Sequence, residues 1–442
     1  MADAVAPHLL YVAWGYPPGR GGGSYRALAT PNAFARAGWK VTVLTGLRET
    51  FLYSTGIDER LEQRIDDRIT LHRIPFPAVP YEVDLRRWSR WRARLPEVHN
   101  AWRERRARRA FPERVYGEWR RPLERAARRI HREHPVDLTI ATANPYVDFT
   151  AAAALHTHAG VPYVMDYRDA WQLDVFSGER STPAGGSVDR WETRLMAGAH
   201  EIWFVNEPIR AWHAALHPER ADRMRVVANG YDAELVGFTD AVRPDRADGL
   251  VFGYIGTMSP KVPLEPLMEG WRRARELEPL VARSTLVLHG DLGYAGKANE
   301  HWLRLLRENA AHGVDYRGPV SKVDLGGTYA GFDALVLALG TGAYVTSGKV
   351  YEYCASGLPI ASVHDPGNAA SDVLRGHPGW SPAEGLAAEQ VAEAIIATAR
   401  RAAAQTSAER AAAQRWAAQY ERQAQLGPRI ADLTAAVRGG QA

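Results

Sequence analysis

The stretch HLLYVAWGYPPGRGGGSYRALATPNAFARAGWKVTVLTG, residues 8–46, determines the predicted architecture. Its first seven residues are apolar and typical of a strand buried on both faces, and its last eight have the same character. Between them lie a glycine- and proline-rich loop, 15–23, and a segment with helical spacing, 24–38. Ser24 is a candidate N-cap for this helix and Gly38 a candidate stop. Strand, loop, helix and strand in this order predict a parallel α/β unit.

The same alternation continues on both sides of a polar, turn-rich segment, 229–249. Helical stretches separate further strand-like runs, which are RITLHRI (68–74), VDLTIAT (136–142), VPYVMDY (161–167), EIWFVN (201–206), LVFGYIG (250–256), STLVLHG (284–290), VDYRG (314–318), DALVLAL (333–339) and LPIASV (358–363). The chain from about Glu384 onward is Ala-rich and helical. We therefore predict two doubly wound parallel-sheet halves followed by a helical tail.

Length and composition exclude several classes of protein. The 442 residues are 46% hydrophobic and 24% charged, which is typical of a folded chain of two or three domains and not of a disordered one. The apolar runs are too short to cross a membrane, and the N-terminus lacks the features of a signal peptide. A single cysteine, Cys354, excludes an internal disulfide. We expect a cytoplasmic protein.

The net charge of +4 is unevenly distributed. Residues 86–132 contain 17 Arg and 5 Glu, a local charge of +12, so the remainder of the chain is acidic. We interpret 81–132 as a helical insertion with Trp88, Trp91 and Trp102 among the arginines. It could be a membrane-surface patch, a polyanion-binding surface with stacking aromatics, or a solvated helix pair whose Trp rings pack inward under Arg stems.

Two glycine-rich loops follow the first strand of each half. In GRGGGS, 19–24, small residues let backbone N–H groups approach an anion at a helix N-terminus, but an ordinary surface turn is the alternative. In GYIGTMSPK, 253–261, a strand ends at Gly256, and Lys261 could neutralise a diphosphate or be a solvated surface charge. The absence of GxxxxGK[ST] excludes a nucleotide triphosphatase loop.

A third motif, TSGKVYEYCASGLPIAS, covers 346–362. Ser347 or the threonine before it could cap a helix beginning near Gly348. Lys349 would then lie in the first turn, where the helix dipole disfavours a cation unless an anion is bound nearby. Glu352, three residues on, shares its face and could accept hydrogen bonds from a ribose, or simply form an ion pair with the lysine.

A fourth motif, DYRDAW, covers 166–171 and ends a strand. Asp166, Arg168 and Asp169 would lie at the carboxyl edge of a parallel sheet, where open α/β sheets bind ligands. A structural Arg–Asp network is the alternative. The histidines lack an accompanying carboxylate pattern, so we expect no metal site.

Taken in order, these motifs resemble the GT-B glycosyltransferases, in particular the retaining family 4; VANGYD, 227–232, completes the set. The resemblance implies two Rossmann-like domains facing a cleft. The acceptor domain would comprise 1–235 and the C-terminal helix 415–442, which crosses back to it. The nucleotide-sugar domain would comprise 236–414.

The resemblance also assigns roles by position. It implies that the catalytic residues are Asp169, Lys349 and Lys261. The donor-binding residues would be Gly22, Gly23, Gly256, Thr257, Lys261, Val320, Ser347, Gly348, Lys349 and Glu352. The acceptor-binding residues would be Tyr16, Arg26, Asp166, Arg168, Asp169 and Trp171. The chain departs from the family at Tyr344, where a glutamate is common, and at Thr257, where a basic residue is common, so the sugar contacts have weaker support than the diphosphate contacts.

The implied reaction is retaining transfer from a UDP- or GDP-sugar, without a metal cofactor, to a small-molecule, lipid-linked or saccharide acceptor in natural-product or cell-envelope biosynthesis. Lysines and oriented amides would stabilise the leaving diphosphate, whose oxygen can take the acceptor proton. Asp169 is the candidate nucleophile for a double displacement. The alternatives are a GT-B nucleotide-sugar epimerase or phosphorylase, and a non-enzymatic polyanion-binding protein. We expect no nucleic-acid partner, and peripheral contact with the inner membrane face through 86–132 remains open.

Overall fold

The computed structural model describes residues 6–76, 82, 84–243, 248–293, 299–320, 324–340 and 342–439. The chain divides into two compact units. Unit 1 comprises residues 1–174, 179–228 and 426–442, and unit 2 comprises residues 175–178 and 229–425.

Unit 1 is built on a seven-stranded parallel sheet in the order β3-β2-β1-β4-β5-β6-β7. The strands are β1 (His8–Val12), β2 (Lys40–Gly46), β3 (Ile69–Ile74), β4 (Leu138–Ala143), β5 (Tyr163–Tyr167), β6 (Glu201–Phe204) and β7 (Met224–Val226). Its helices are α1 (Gly22–Arg36), α2 (Arg48–Tyr53), α3 (Glu59–Glu62), α4 (Arg90–Arg94), α5 (Pro96–Ala110), α6 (Arg120–Glu133), α7 (Asp148–Ala159), α8 (Ser187–Gly198) and α9 (Glu207–Leu216).

Unit 2 is built on a six-stranded parallel sheet in the order β10-β9-β8-β11-β12-β13. The strands are β8 (Val251–Ile255), β9 (Thr285–His289), β10 (Val314–Gly318), β11 (Ala334–Ala338), β12 (Ile360–Val363) and β13 (Trp380–Pro382). The helices are α10 (Ala233–Val236), α11 (Leu264–Leu277), α12 (Pro279–Ala282), α13 (Glu300–Glu308), α14 (Leu325–Ala330), α15 (Gly348–Ser356), α16 (Ala370–Leu374), α17 (Ala388–Ala404), α18 (Ser407–Ala417) and, continuing into unit 1, α19 (Arg422–Gly439). Two doubly wound parallel sheets confirm the predicted fold class.

All eleven predicted strand runs form strands. Most have apolar side chains on both faces that helices cover, whereas β3 and β10 are partly exposed edge strands. β7 and β13 were not predicted, since three-residue strands at sheet edges have no apolar run to mark them. The predicted cap of α1 was wrong. The helix begins at Gly22 after Gly21, without a side-chain cap, and Ser24 is buried within its first turn.

The C-terminal helix α19 belongs to unit 1 from Leu426 onward. Leu426, Ile430, Leu433 and Val437 recur at helical spacing and pack into the core around β1 and α1. Burial of such side chains contributes about 1.5–3 kcal/mol each. The indole N–H of Trp39 also donates to the Thr434 hydroxyl at 3.0 Å.

The Arg/Trp-rich segment is helical, as predicted, and consists of α4, α5 and α6 with two short 3-10 turns; residues 81 and 83 lie outside the described part. Trp119 and the apolar face of α6 anchor it in unit 1, through Leu123, Ala126, Ala127 and Ile130. None of the helices in the described part of the chain combines the length and the apolar character needed to cross a membrane.

Candidate functional site

Each sheet reverses its direction of winding at one point. In unit 2 the chain runs outward from β8 to β10 and then returns to place β11 on the other side of β8. Open α/β sheets bind ligands beyond the carboxyl ends of the strands at such a point. In unit 2 that position holds Gly256, which follows β8, and the N-terminus of α15, which follows β11. The corresponding position in unit 1 lies between β1 and β4.

Lys349 and Gly256 lie together in unit 2. Lys349 is half-buried in the first turn of α15, and its ammonium donates a hydrogen bond to the Tyr254 hydroxyl at 2.9 Å. A Cβ at Gly256 would overlap that ammonium, and the φ of +151° at this residue also favours glycine. Glycine at 256 therefore admits the lysine to the carboxyl end of β8.

The N-terminus of α15 is tied to β8 by two local features. The Ser347 hydroxyl accepts the backbone N–H of Lys349 as the N-cap, as predicted, and α15 begins at Gly348. The buried Tyr353 hydroxyl accepts the N–H of Ile255 at 2.7 Å. Tyr353 and Tyr254 were not singled out in the sequence, although Tyr353 belongs to the quoted YEY motif. Their phenols hold the helix and the lysine against the strand end.

Glu352 lies one turn beyond Lys349 and is half-buried. Burial raises the pKa of Tyr329 and of Tyr353 well above the ordinary value, and the nearby Glu352 carboxylate raises both further. The carboxylate therefore sits beside buried phenols at the base of the motif. Cys354, one turn after Val350, is a buried thiol whose pKa is raised by burial, in agreement with an inert core role.

The other donor-side candidates of unit 2 are more exposed. Thr257 follows Gly256 at the surface, and Val320 is half-exposed after β10, whereas the next two residues, Ser321 and Lys322, lie outside the described residues. The exposed Lys261 places its ammonium 2.9 Å from the centroid of the Phe176 ring. The structure thus gives the two predicted phosphate-binding lysines different aromatic partners.

In unit 1, Gly23 and Arg168 are in direct contact. A Cβ at Gly23 would overlap the Arg168 guanidinium, which donates to the carbonyl oxygens of Ala143 at 2.7 Å and Asn144 at 2.6 Å. Gly22 has open space around its Cα. The glycine-rich loop after β1 and the DYRDAW motif after β5 therefore meet across the end of β4.

Three predicted acceptor contacts lie in the interior instead. Arg26 and Asp166 form a salt bridge of 2.6 Å, with side chains 5% and 0% exposed. Arg26 also donates to the carbonyl oxygens of Val227 and Ala228. Tyr16 is fully buried, and its hydroxyl has no hydrogen-bond partner among the described residues. Arg26 and Asp166 therefore form the structural Arg–Asp network given above as the alternative, and Tyr16 packs in the core.

Asp169 and Trp171 differ in accessibility. Asp169 is exposed, whereas Trp171 is buried and stacks on Tyr146 with ring centroids 4.7 Å apart. Phe111 stacks on the same indole at 5.1 Å. The Tyr146 hydroxyl donates to the backbone carbonyl of Asp169 at 3.2 Å. Asp169 is thus an accessible carboxylate on a backbone held by a stack of aromatic rings.

A half-buried carboxylate, Glu113, supports this stack and was not predicted. Both oxygens of Glu113 accept backbone N–H groups, from Tyr146 at 2.9 Å and Val147 at 2.8 Å. Burial raises the pKa of Glu113 to about 7, despite these two hydrogen bonds. Asp148, which follows in α7, accepts the N–H of Trp14 at 2.7 Å, and burial raises its pKa well above the ordinary value. Nothing local distinguishes Glu113 within its Arg-rich segment.

Chemically, the switch point of unit 2 offers the Lys349 ammonium and a helix N-terminus, and the corresponding end of unit 1 offers the Arg168 guanidinium and the accessible Asp169 carboxylate. The described residues contain no group of three or more His, Cys, Asp and Glu side chains arranged to hold a metal ion. A half-buried lysine and a helix N-terminus that begins at the exposed Gly348 together favour an anion such as a phosphate.

Residues 21–230 match the family model of the glycosyl transferase 4-like domain. The search of curated protein sequences found no significant match.

Solved structures match over nearly the whole chain. HepE of Anabaena, solved in complex with UDP, superposes with a TM-score of 0.63 at 15% identity and covers 97% of this chain and 100% of its own. A glycosyltransferase from Rickettsia africae gives 0.65 at 11% identity, with 98% and 99% covered. A UDP-N-acetylglucosamine 2-epimerase described as putative, from Listeria monocytogenes, gives 0.56 at 11% identity, with 98% of both chains covered. At these identities the superpositions establish the fold. The chain carries a glycosyl transferase 4-like domain over residues 21–230 and shares its fold with solved glycosyltransferases.

Proposed function

We propose that this enzyme is a retaining glycosyltransferase that uses a nucleotide diphosphate sugar as donor. The observation that carries the proposal is the placement of the Lys349 ammonium at Gly256 and Tyr254, at the switch point of unit 2. A cation held beside the N-terminus of α15 at a strand end suits the diphosphate of such a donor. The UDP bound in the HepE structure supports UDP as the first nucleotide to test, with GDP as the alternative.

The other donor-side roles follow from the predicted positions. Lys349 and Lys261 would neutralise the diphosphate, with Gly256 and Thr257 contributing backbone contacts. Ser347 and Gly348 would present the α15 N-terminus. Glu352 would accept the ribose hydroxyls, and Val320 would face the base. The assignments of Gly22 and Gly23 to the donor, and of Arg168, Asp169 and Trp171 to the acceptor, stay predictions.

In the proposed reaction the bond between the anomeric carbon and the β-phosphate oxygen breaks, and the acceptor oxygen bonds to the same carbon on the same face. The acceptor proton passes to the departing phosphate oxygen. Lys349 and Lys261 stabilise the charge that grows on the diphosphate, and this stabilisation lowers the barrier without a protein base. In the alternative double displacement, the Asp169 carboxylate would attack first and form a glycosyl ester, which the acceptor would then cleave.

The acceptor class remains the broad one of small molecules, lipid-linked intermediates and saccharides, in natural-product or cell-envelope biosynthesis. The location we propose is cytoplasmic. Peripheral contact with the inner membrane face would bring the enzyme to a lipid-linked acceptor.

Thermal unfolding with UDP, GDP and ADP tests the donor. We expect one of the first two to raise the melting temperature of the wild-type protein and to lose that effect in Lys349→Ala and Glu352→Ala. The retaining outcome is tested by proton NMR of the product linkage formed from an α-configured donor. An inverted linkage, or unchanged nucleotide affinity in both variants, would contradict the proposal.

A nucleotide-sugar epimerase is the second candidate, because structures with that name share this fold over nearly the whole chain. The two candidates differ in what the acceptor does. A glycosyltransferase releases nucleoside diphosphate faster when its acceptor is present, whereas an epimerase converts the donor sugar without one. Incubation of UDP-N-acetylglucosamine with the enzyme alone, followed by NMR of the sugar, separates them.

A further inference from the structure

The donor chemistry leaves the Arg/Trp-rich part of unit 1 without a role. Its aromatic residues divide into two groups. Trp119 is fully buried, and Trp88 is covered by the Arg92 guanidinium at 3.8 Å from its ring centroid. Trp91 and Trp102 remain 42% and 43% exposed. Inward packing under arginine stems therefore describes only the first group.

The two exposed rings form one apolar patch with each other. Trp91 of α4 and Trp102 of α5 are in contact, with ring centroids 5.2 Å apart. Three aliphatic side chains on the same segment are more than half exposed, namely Leu85, Leu95 and Val98. Such a concentration of exposed large apolar groups on a short segment marks an interaction site.

Helix α6 carries a row of arginines. Arg121, Arg125, Arg128 and Arg132 are spaced by four, three and four residues, so they lie on one face. All four are exposed, and none forms an ion pair with a residue that the structure describes. Like charges at this spacing repel and destabilise a helix. A partner with many negative charges would offset the repulsion among these arginines and would be attracted to them.

The row borders two adjoining cavities in unit 1, of about 680 and 770 Å³. The first combines an apolar floor of Ile74, Pro75, Pro122 and Ala126 with a rim of Arg125, Arg128, Arg129, Arg132 and His158. The second shares Arg125 and Arg128 and adds Arg103, Arg106 and Arg121. Since Arg103 and Arg106 pair with Glu118, the net positive charge concentrates along α6.

The apolar patch and the arginine row are continuous. The Arg106 guanidinium lies 5.6 Å from the centroid of the Trp102 ring and also lines the second cavity. The exposed groups of α4, α5 and α6 thus form one surface of unit 1, which we call the α4–α6 surface.

We infer that the α4–α6 surface docks the enzyme on an anionic lipid bilayer. Its arginines would pair with lipid phosphates, and its Trp and aliphatic side chains would enter the interfacial layer, where tryptophan is favoured. A nucleic acid could use the arginines and stack on the rings, but Leu85, Leu95 and Val98 offer nothing to a base. The biological purpose, delivery to a lipid-linked acceptor, rests on the proposed function; the binding itself does not.

Co-sedimentation of the full-length enzyme with vesicles tests the inference. We expect binding to vesicles of 70% phosphatidylcholine and 30% phosphatidylglycerol, little binding to phosphatidylcholine alone, and loss of binding in about 0.5 M salt, which screens the attraction. Each arginine near an anionic surface contributes about fivefold in affinity. The variant Arg121→Ala/Arg125→Ala/Arg128→Ala/Arg132→Ala should therefore bind roughly six hundredfold more weakly, and Trp91→Ala/Trp102→Ala should also bind more weakly.

The matched control removes four exposed arginines of unit 2, Arg272→Ala/Arg304→Ala/Arg307→Ala/Arg401→Ala, and should bind like the wild type. If both quadruple variants lose vesicle affinity equally, the binding depends only on the net charge of the protein, and the inference is overturned. So would tighter binding to a 20-nucleotide single-stranded DNA than to the anionic vesicles. The melting-temperature shift with UDP or GDP is measured on the same samples. Absence of vesicle binding with the nucleotide shift intact refutes the docking surface alone, whereas loss of the nucleotide shift in the wild type refutes the proposed donor.

Discussion

Replacement of Lys349 by methionine removes the ammonium and keeps a side chain of similar length. In the structure the ammonium donates to the Tyr254 hydroxyl at 2.9 Å and lies 4.5 Å from the centroid of the same ring. A unit charge pair at 4 Å is worth about 4 kcal/mol at an effective dielectric constant near 20 and about 1 kcal/mol in water. Since Lys349 is half-buried, we expect a loss of about 2 kcal/mol, which corresponds to roughly thirtyfold weaker nucleotide binding.

Isothermal titration calorimetry with the nucleotide that stabilises the wild type measures this loss. Tyr254→Phe is the matched control, because it keeps the ring and the lysine but removes one hydrogen bond to the ammonium. A bond of this kind contributes about 1 kcal/mol, so the expected loss is about fivefold. The logarithm of affinity should also fall less steeply with salt concentration in Lys349→Met than in the wild type.

One result would refute the reasoning about Lys349. If Lys349→Met keeps the wild-type melting temperature and binds the nucleotide within twofold of the wild type, the ammonium at Gly256 does not contact the diphosphate. A loss in Tyr254→Phe as large as that in Lys349→Met would instead show that the tyrosine, and not the charge, carries the interaction.

Three further predictions concern unit 1. Arg26→Met leaves the Asp166 carboxylate buried without its cation and should cost about 3–5 kcal/mol of stability, measured as a lower urea midpoint; an unchanged midpoint would contradict the buried network. Burial raises the pKa of Glu113 from 4.5 to about 7, so between these pH values the folded protein holds a proton that the unfolded chain releases. The free energy of unfolding should therefore fall by up to about 3 kcal/mol as the pH rises from 4.5 to 7, and it should remain low above pH 7. Glu113→Gln should flatten this pH dependence, and a slope equal to that of the wild type would exclude Glu113 as its source. Gly23→Ala should displace Arg168 and lower the melting temperature, yet add little to Arg168→Ala in the double variant; additive losses would show that the two residues do not share one space.

The parallel sheets could be predicted from the sequence because of their burial. Strands covered on both faces are continuous apolar runs, and runs such as LLYV and LVLA can be recognised from the local sequence alone. β7 and β13 were not predicted because edge strands of three residues contain no such apolar run. The start of α1 was misplaced because the backbone at Gly21 and Gly22 continues into the helix without a side-chain cap.

The candidate site was predictable only where it is local. Ser347 caps the helix that carries Lys349, and both lie within a few residues, so spacing was enough. The contact between Lys349 and Tyr254 joins residues 95 positions apart, and that between Glu113 and Tyr146 joins residues 33 apart. Periodicity within one element contains no information about such pairs.

By itself, the sequence determined the order of strands and helices, the two doubly wound sheets and the positions of the glycine-rich loops, because these depend on local apolar patterns and backbone preferences. The tertiary structure decided which charged groups face solvent. Arg26 and Asp166, 140 positions apart, neutralise each other in the core, whereas Asp169, three residues further on, is exposed. In the tertiary structure Trp91 is also exposed, whereas Trp119 is buried. Burial depends on which distant elements pack against a residue, and the packing of the whole unit alone determines that.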